Sequence, residues 1–302
     1  MKKIYIDTDM GNDDIMAICL LLASEVIDIT GISTVYGVSG AQTGALNLAK
    51  LLKYLGKNIK IKSGSPQPLF EKTASFPLPD RLRAENLVLS PRLKNIKTTI
   101  QRSSQKVEKF ISEAIGGEKV IIVALGPLTN IAKYISAQTK NINQKLKIVL
   151  MGGGLKRGNV FPDRYAEYNI WLDPEAAEIV FNSGVSITMV GINATDYVLA
   201  TKEFRQQIES IRPRTKAGAV IRDIILLNNG DFDAYYDPLT AAIVMDESLI
   251  TSSLRGTVDA ALKDKRRGET QFQKNNKGNV NVVMKVNASF FYSRLLQVVR
   301  GK

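Results

Sequence analysis

Short apolar runs alternate with amphipathic stretches through the first two thirds of the chain. Residues 27–35, with apolar residues at intervals, predict a strand. Residues 120–125 are continuously apolar, and residues 3–6 form a shorter run that ends at Asp7. Runs of this kind are typical of strands that are buried on both faces of a parallel sheet. Between them, residues 42–55 carry apolar side chains at three- and four-residue intervals, which predicts a helix with one buried face.

The same pattern predicts seven further elements. Helices are expected at 15–23, 107–115, 128–136 and 174–182, and strands at 59–62, 147–151 and 185–190. This repeated strand–loop–helix order predicts an α/β fold of three layers, with a mostly parallel, Rossmann-like central sheet flanked by helices. No internal repeat or linker divides residues 1–302. Residues 66–92 are rich in proline and charge, which predicts an exposed excursion that could serve as a flap.

Composition narrows the class of protein. The 302 residues are 44% hydrophobic and 23% charged, as in an average globular protein. The single cysteine excludes an intrachain disulfide, and neither a signal segment nor an apolar run of membrane-spanning length is present, so we expect a cytoplasmic protein without a membrane partner. The net charge of +12 raises the question of nucleic acid. The basic residues are scattered, however, so we expect a solvated basic surface and no nucleic-acid partner.

The sequence contains no histidine. This absence excludes a serine–histidine triad, a histidine metal ligand and an imidazole acid. Chemistry in this protein must therefore rely on carboxylates, amides, hydroxyls, aromatic rings and a metal ion.

Four carboxylates cluster within eight residues at the end of the first predicted strand: Asp7, Asp9, Asp13 and Asp14. Like charges this close repel one another and call for a compensating cation. A set of oxygen ligands favours calcium or magnesium over zinc. Helix capping is the simpler alternative, but a cap needs one or two acids and not four. We therefore predict a divalent-metal site that serves catalysis.

Two metal-dependent families begin with a similar motif. The haloacid-dehalogenase-like phosphatases have D-x-D-x-T, which the Gly11, Asn12 and Asp13-Asp14 positions do not match. Asp7-x-Asp9-x-Gly11-x-Asp13-Asp14 resembles instead the N-terminal signature of the nucleoside hydrolases, the inosine–uridine-preferring family and its relatives. Further blocks agree with that family in chain order: residues 125–130, 151–154 with 158–159, 166–170 and 173–177, and 236–242, together with 267–270 in the tail.

This resemblance covers nearly the whole chain and implies a single nucleoside hydrolase domain over residues 1–302. It further implies a calcium ion held by Asp9, Asp14, the backbone carbonyl of Leu125 and Asp237. Asp9 would also act as general base on a calcium-bound water, and Asp7 would support the site from behind. The ribose hydroxyls would be held by Asp13, Asn159, Glu167 and Asn169. Relatives usually assemble as dimers or tetramers, so a homo-oligomer is expected.

Two positions depart from the family pattern. Many members place a histidine directly before the last metal aspartate, as the acid for the leaving base, whereas this chain has Tyr236. The purine-specific (inosine–adenosine–guanosine) branch carries an aromatic residue there, which stacks on the base. Val38 stands where an asparagine or aspartate commonly faces the ribose, and the neighbouring Ser39 could replace that contact. Phe76 could form a second stacking wall, although packing within its surface loop is the simpler interpretation.

These observations leave several functions open. The leading hypothesis is calcium-dependent hydrolysis of the N-glycosidic bond of purine ribonucleosides, with Asp9 and Tyr236 as catalytic residues. A pyrimidine-specific or broad-specificity nucleoside hydrolase is the first alternative. Because Val38 replaces a polar residue and histidine is missing, a non-catalytic nucleoside- or ribose-binding protein on the same scaffold is the second. A phosphatase is the third.

Overall fold

The computed structural model describes residues 1–70, 74–101, 103–138, 145–230 and 232–301. Within them, nine strands form one sheet in the order β3-β2-β1-β4-β5-β6-β9-β7-β8. The strands are β1 (Lys2–Thr8), β2 (Ile27–Thr34), β3 (Ile61–Ser63), β4 (Val120–Ala124), β5 (Leu146–Met151), β6 (Ser186–Val190), β7 (Ile250–Ala260), β8 (Thr270–Lys274) and β9 (Val280–Val286). β1 to β6 and β9 pair in parallel, and β7 runs antiparallel to both β8 and β9. The predicted mostly parallel sheet is confirmed.

Helices cover both faces of this sheet. They are α1 (Asn12–Ala23), α2 (Ala41–Leu55), α3 (Leu78–Glu85), α4 (Pro91–Lys94), α5 (Val107–Ile115), α6 (Thr129–Ser136), α7 (Tyr168–Leu172), α8 (Pro174–Phe181), α9 (Ile192–Thr195), α10 (Lys202–Glu209), α11 (Lys216–Leu227), α12 (Tyr236–Met245) and α13 (Ala288–Arg300). The helices predicted at 107–115 and 42–55 lie within one residue of the observed bounds. No helix of the described residues combines the length and apolarity needed to cross a membrane.

Alternate residues of the central strands supply two separate cores. In β1, Ile4 and Ile6 pack into the core beneath α1, α11 and α12, whereas Tyr5 packs into the core beneath α5, α6 and α8. Successive side chains of a strand point to opposite faces, so a strand covered on both sides must be apolar at every position. This is why the central strands appear in the sequence as continuous apolar runs, and why the fold has three layers.

The order of the strands reverses direction between β1 and β4. From β1 the chain proceeds outward through β2 and β3, and it then returns to place β4, β5 and β6 on the other side. The two strands are adjacent and in register, with Asp7 opposite Ala124. Helices that leave such a pair diverge to opposite faces and leave a crevice at the carboxyl ends, where ligands bind in folds of this kind. The acidic motif follows β1 and Leu125 follows β4, so both lie in this crevice.

Candidate active site

One cavity of about 360 Å³ lies above the carboxyl ends of the central strands. All nine residues that the sequence assigned to metal, substrate or catalysis line it: Asp9, Asp13, Asp14, Leu125, Asn159, Glu167, Asn169, Tyr236 and Asp237. They come from the turn after β1, the residue after β4, the segment between β5 and α8, and the start of α12. The fold therefore brings together residues that are as much as 228 positions apart.

The turn after β1 folds the acidic motif back on itself. Met10 has a left-handed backbone (φ 57°), and Gly11 directly precedes α1. Asp14, one turn into that helix, accepts the Gly11 N–H at 2.8 Å and the hydroxyl of Thr8. Asp14 thus serves as the helix cap suggested by the simpler interpretation of the motif. Its carboxylate nevertheless stays beside the other acids.

A glycine in the loop after β2 allows close backbone approach to Asp9. A Cβ on Gly37 would stand only 2.0 Å from Asp9 Oδ2. Because Gly37 has no side chain, the Val38 N–H reaches that oxygen and donates to it at 2.8 Å. The hydroxyl of Ser39 donates to the Asp9 backbone carbonyl. The loop therefore holds Asp9 from its backbone and side-chain sides together.

The acids converge into one buried group. Carboxylate oxygens of Asp13, Asp14 and Asp237 lie within 4.8 Å of one another. The Asp14 charge acts on both Asp9 and Asp237, so Asp14 is the shared member of the group. Asp237 is 2% exposed, and its Oδ1 has no hydrogen-bond partner among the described residues.

Burial and mutual repulsion make these acids weak. Burial raises the pKa of Asp13 to about 7, with the neighbouring charge of Asp14 adding to the effect. Burial and the Asp14 charge likewise hold the pKa values of Asp9 and Asp237 well above the ordinary range. In a metal-free site, protons shared between the carboxylates must relieve the repulsion.

A hard divalent cation fits this group. Carboxylate and carbonyl oxygens are the ligands that calcium and magnesium take, and no described histidine or thiolate approaches the cavity. The unpartnered oxygen of Asp237 supports the fit of such an ion, because a buried acceptor without a donor is costly. The compact group includes Asp13, which the sequence placed on the ribose, while Asp9 lies against Asp14.

Two of the ribose-assigned residues, Glu167 and Asn169, form a further part of the cavity lining, the ribose wall. Glu167 begins α7 and accepts the N–H groups of Asn169 at 2.9 Å and Gly153 at 3.0 Å. Burial raises its pKa to about 7. The amide of Asn169 donates to the carbonyls of Leu125 at 3.0 Å and Met151 at 3.2 Å, so it joins the ribose wall to the metal side.

Asp7 lies behind the cavity. Its Oδ1 accepts from the hydroxyl of Ser33 and from Asn130 Nδ2 at 2.8 Å, and it is 1% exposed. The same Asn130 accepts the Ser65 N–H at 2.8 Å. Asp7 therefore ties β1 to the two neighbouring segments beneath the acids that reach the cavity.

Aromatic residues also line the cavity. Tyr236 opens α12, and its hydroxyl donates to Asp233. Burial and the Asp233 charge raise the Tyr236 pKa. Phe76 reaches the cavity from the proline-rich excursion and stacks on Tyr168, with ring centroids 4.4 Å apart. The excursion predicted at 66–92 contributes Phe76 and residues of α3 to the cavity lining, and its role as a flap stays a prediction. Residues 71–73 within it lie outside the described residues.

Val38 and Ser39 take different positions. The Val38 side chain lines the cavity beside Gly11. Ser39 is fully buried, and its hydroxyl is used by the Asp9 carbonyl. Ser39 is absent from the described cavity lining, so it does not supply the polar contact that Val38 lacks.

Sequence reasoning missed the charged residues at the cavity mouth. Asp80 pairs with Arg83 at 3.0 Å on α3, and Arg157 pairs with Asp196 at 2.7 Å across two loops. Asp233 was missed as well. Charged residues are common in surface loops, so their presence alone does not indicate a functional site. Arg157 and Asp196 had one indication in the sequence, since they follow β5 and β6 and ligands bind beyond the carboxyl ends of parallel strands.

The fold and the site together define the class of protein. It is an α/β protein with an acidic site, suited to a divalent metal ion, in the crevice where the strand order reverses between β1 and β4. A family profile for the inosine-uridine preferring nucleoside hydrolases matches residues 4–293, and the chain belongs to that family. It is therefore a nucleoside hydrolase, of a metal-dependent family that acts on small-molecule nucleosides.

Individual relatives differ in the base they prefer. A probable ribonucleoside hydrolase of Dictyostelium discoideum is 29% identical over 285 residues, covering 84% of this chain and 80% of that protein. A pyrimidine-specific ribonucleoside hydrolase of Photobacterium profundum is 32% identical over 261 residues, covering 83% and 82%. The solved structure of a purine-preferring ribonucleoside hydrolase from Gardnerella vaginalis superposes with a TM-score of 0.84 at 26% identity, covering 99% and 98%.

Proposed function

We propose that this protein is a calcium-dependent ribonucleoside N-ribohydrolase with a preference for purine nucleosides. The observation that carries the proposal is that carboxylates and aromatic rings line one cavity together. Asp9, Asp13, Asp14 and Asp237 supply the carboxylates, and Tyr236, Phe76 and Phe232 supply the rings. A nucleoside combines the matching chemistry, with a polar sugar and a flat base.

The acids suit the chemistry at the sugar. Cleavage of a glycosidic bond passes through an oxocarbenium-like sugar, whose developing positive charge nearby carboxylates stabilise. Asp9 is the proposed general base that takes the proton from the attacking water, and the loop after β2 holds its carboxylate in place. Asp9, Asp14, the Leu125 carbonyl and Asp237 would hold a calcium ion, which would supply a lowered pKa for the attacking water.

The remaining polar residues hold the ribose. Asp13, Asn159, Glu167 and Asn169 offer carboxylate and amide groups, which are the partners a sugar hydroxyl requires. Glu167 and Asn169 are each held by backbone groups, so they present fixed positions to a ligand. Because these groups are already in place, binding energy can orient the sugar and is not used to rearrange the site.

Leaving-base activation must occur without histidine. Tyr236 occupies the position directly before Asp237, and its hydroxyl is already committed to Asp233. A high pKa makes that hydroxyl a poor acid near neutral pH. Stacking of a purine on the aromatic ring raises the basicity of the base, so that solvent can protonate it. A larger stacking surface on a purine is the reason for the proposed preference.

The test is a comparison of kcat/KM for inosine, adenosine, guanosine, uridine and cytidine in calcium buffer. Faster cleavage of a purine nucleoside supports the proposal, whereas faster cleavage of uridine or cytidine sinks the purine assignment. Pyrimidine preference is the second candidate because relatives 31–32% identical to this chain are named pyrimidine-specific. Binding of nucleosides without any turnover would indicate the non-catalytic alternative.

The metal is tested separately. After chelation by EGTA, we expect turnover to vanish and to return on addition of calcium. Restoration by magnesium alone would contradict the assignment to calcium while leaving the hydrolase activity intact. Assembly into a dimer or tetramer and a cytoplasmic location, both expected from the sequence, remain predictions.

A further inference from the structure

A polar bridge joins three residues that line the cavity, Asp233, Tyr236 and Asn159. The hydroxyl of Tyr236 donates to Asp233 Oδ1, and Asn159 lies within hydrogen-bonding reach of the same hydroxyl. Asn159 in turn accepts the Tyr168 N–H at 3.1 Å. The bridge therefore connects the segment before α12 with the ribose wall before α7.

Backbone hydrogen bonds hold the segment around Asp233 in place. Its carbonyl accepts the Ala200 N–H at 2.8 Å, and the Tyr235 N–H donates to the Val198 carbonyl at 2.9 Å. These bonds surround an antiparallel bridge between Leu199 and Ala234. The Asp233 side chain is exposed at the cavity mouth, yet its backbone is anchored to the segment after α9.

Tyr236 is the residue that needs such an anchor. It is the first residue of α12, and its ring projects into the cavity directly before Asp237. A tyrosine ring at a helix start can adopt more than one staggered rotamer, and each rotamer would present a different surface to a bound base. A hydrogen bond from its hydroxyl to a carboxylate on rigid backbone selects one of them.

We propose that Asp233 is a positioning residue that holds the Tyr236 ring as the wall against the leaving base. The inference deepens the proposed function and rests on it. Because the hydroxyl proton is directed to Asp233, Tyr236 acts through its ring and does not donate a proton to the base. Asp233 itself acts only through Tyr236.

This arrangement predicts non-additive substitutions. Removal of the carboxylate in Asp233→Ala and removal of the hydroxyl in Tyr236→Phe break the same hydrogen bond. A hydrogen bond to a charged acceptor is worth roughly a ten- to hundred-fold effect, so we expect each variant to lose about ten-fold in kcat/KM for inosine. The double variant should lose no more than either single variant. Asp233→Asn, whose amide oxygen still accepts, should retain most of the activity.

A second substrate separates the proposed role from general damage. 4-Nitrophenyl β-D-riboside releases a stable phenolate, which needs neither protonation nor activation by stacking. Its hydrolysis should therefore change little in all four variants. Asp28→Ala, which removes an exposed acid near the amino end of β2, is the matched control and should behave as wild type on both substrates.

The outcomes are distinct. Multiplying losses in the double variant, or equal losses on both substrates, would overturn the positioning role. If wild type hydrolyses no nucleoside, the proposed function fails, and the cycle is then measured as inosine affinity by calorimetry. Coupled losses of affinity would support the positioning role, additive losses would overturn it, and absence of inosine binding would overturn both.

Discussion

At the scale of single residues, the acids of the N-terminal motif occupy different environments. Asp7 is buried behind the cavity and bonded to Ser33 and Asn130. Asp14 caps α1 and joins Asp9 to Asp237, whereas Asp9 is held by the loop after β2. These aspartates have the same side chain, but we expect substitution of each one to have a different effect.

Substitution of Asp9 tests the general base. We expect Asp9→Ala to lower kcat by roughly 10²–10⁴-fold, the usual contribution of a positioned acid or base, while the fold persists. The fold should survive because Asp9→Ala removes the carboxylate that accepts the Val38 N–H and keeps the backbone carbonyl that accepts the Ser39 hydroxyl. Steady-state kinetics with circular dichroism checks this, and Asp28→Ala again serves as control. Near-normal turnover by the variant would refute the role of Asp9.

Tyr236 permits a separation of ring from hydroxyl. Tyr236→Phe should lose about ten-fold in kcat/KM for purine nucleosides through the broken bond to Asp233. Tyr236→Ala should lose roughly a further ten- to hundred-fold, because base–aromatic stacking is worth about 1–3 kcal/mol. The measurement is kcat/KM for inosine in both variants. If the alanine variant matched the phenylalanine variant, the ring would have no role.

At the scale of elements, α3 is the part of the proline-rich excursion that covers the cavity. Glu85 at its end accepts the Gly40 N–H at 3.1 Å, and its carbonyl accepts Asn47 Nδ2 at 3.0 Å. These bonds attach α3 to the start of α2. Since α3 is otherwise mainly exposed, with only Ala84 fully buried, this attachment holds it over the site.

Glu85→Ala removes the side-chain bond to Gly40 and keeps the backbone bond to Asn47, so it should loosen α3 in part. We expect Glu85→Ala to raise KM for nucleosides several-fold with a smaller effect on kcat, because the acids and the ribose wall stay in place. Limited proteolysis between α2 and α5 should become faster, as expected for a locally destabilised segment. Glu209→Ala, at an exposed helix end, is the control. Unchanged KM and proteolysis would show that Glu85 does not hold α3.

At the scale of the whole molecule, the buried acids of the site make the stability of the fold depend on pH. Burial raises the pKa values of Asp7, Asp13 and Glu167 each to about 7. The folded protein therefore binds these protons more tightly than the unfolded chain does. Their stabilising contribution is complete below the ordinary carboxyl pKa and is lost as the pH rises through about 7.

Calcium should reverse this loss. The melting temperature of metal-free protein should fall between about pH 5 and about pH 8, and the increase on adding calcium should be larger at the higher pH, where the acids must otherwise ionise unpaired. Differential scanning calorimetry with EGTA or calcium measures both effects. Asp237→Asn, which removes one carboxylate from the group, should reduce the calcium-dependent increase. A calcium effect independent of pH would contradict the electrostatic account.

The sequence by itself determined the order of most elements up to residue 190, the fold class and the identity of nine residues that line the cavity. Strands buried on both faces must be apolar throughout, and helices with one buried face must carry apolar residues at intervals of three and four. Both patterns can therefore be recognised in a short stretch of sequence. The motif around Asp9 and the blocks at Asn159 and Asp237 likewise carry their chemistry in short stretches. Elements after residue 190 were not predicted, because their mixed, partly exposed patterns carry weaker periodicity.

Only the tertiary structure decided how these residues meet. Asp7 and Asp14 are two aspartates of one motif, but their positions differ. Strand pairing buries Asp7 beneath the site, whereas the first turn of α1 places the Asp14 carboxylate in the site. The bond between Tyr236 and Asp233 and the stacking of Phe76 on Tyr168 depend on loops packed against each other. Such contacts follow from three-dimensional packing between segments distant in the chain, and no local pattern of polar and apolar residues encodes them.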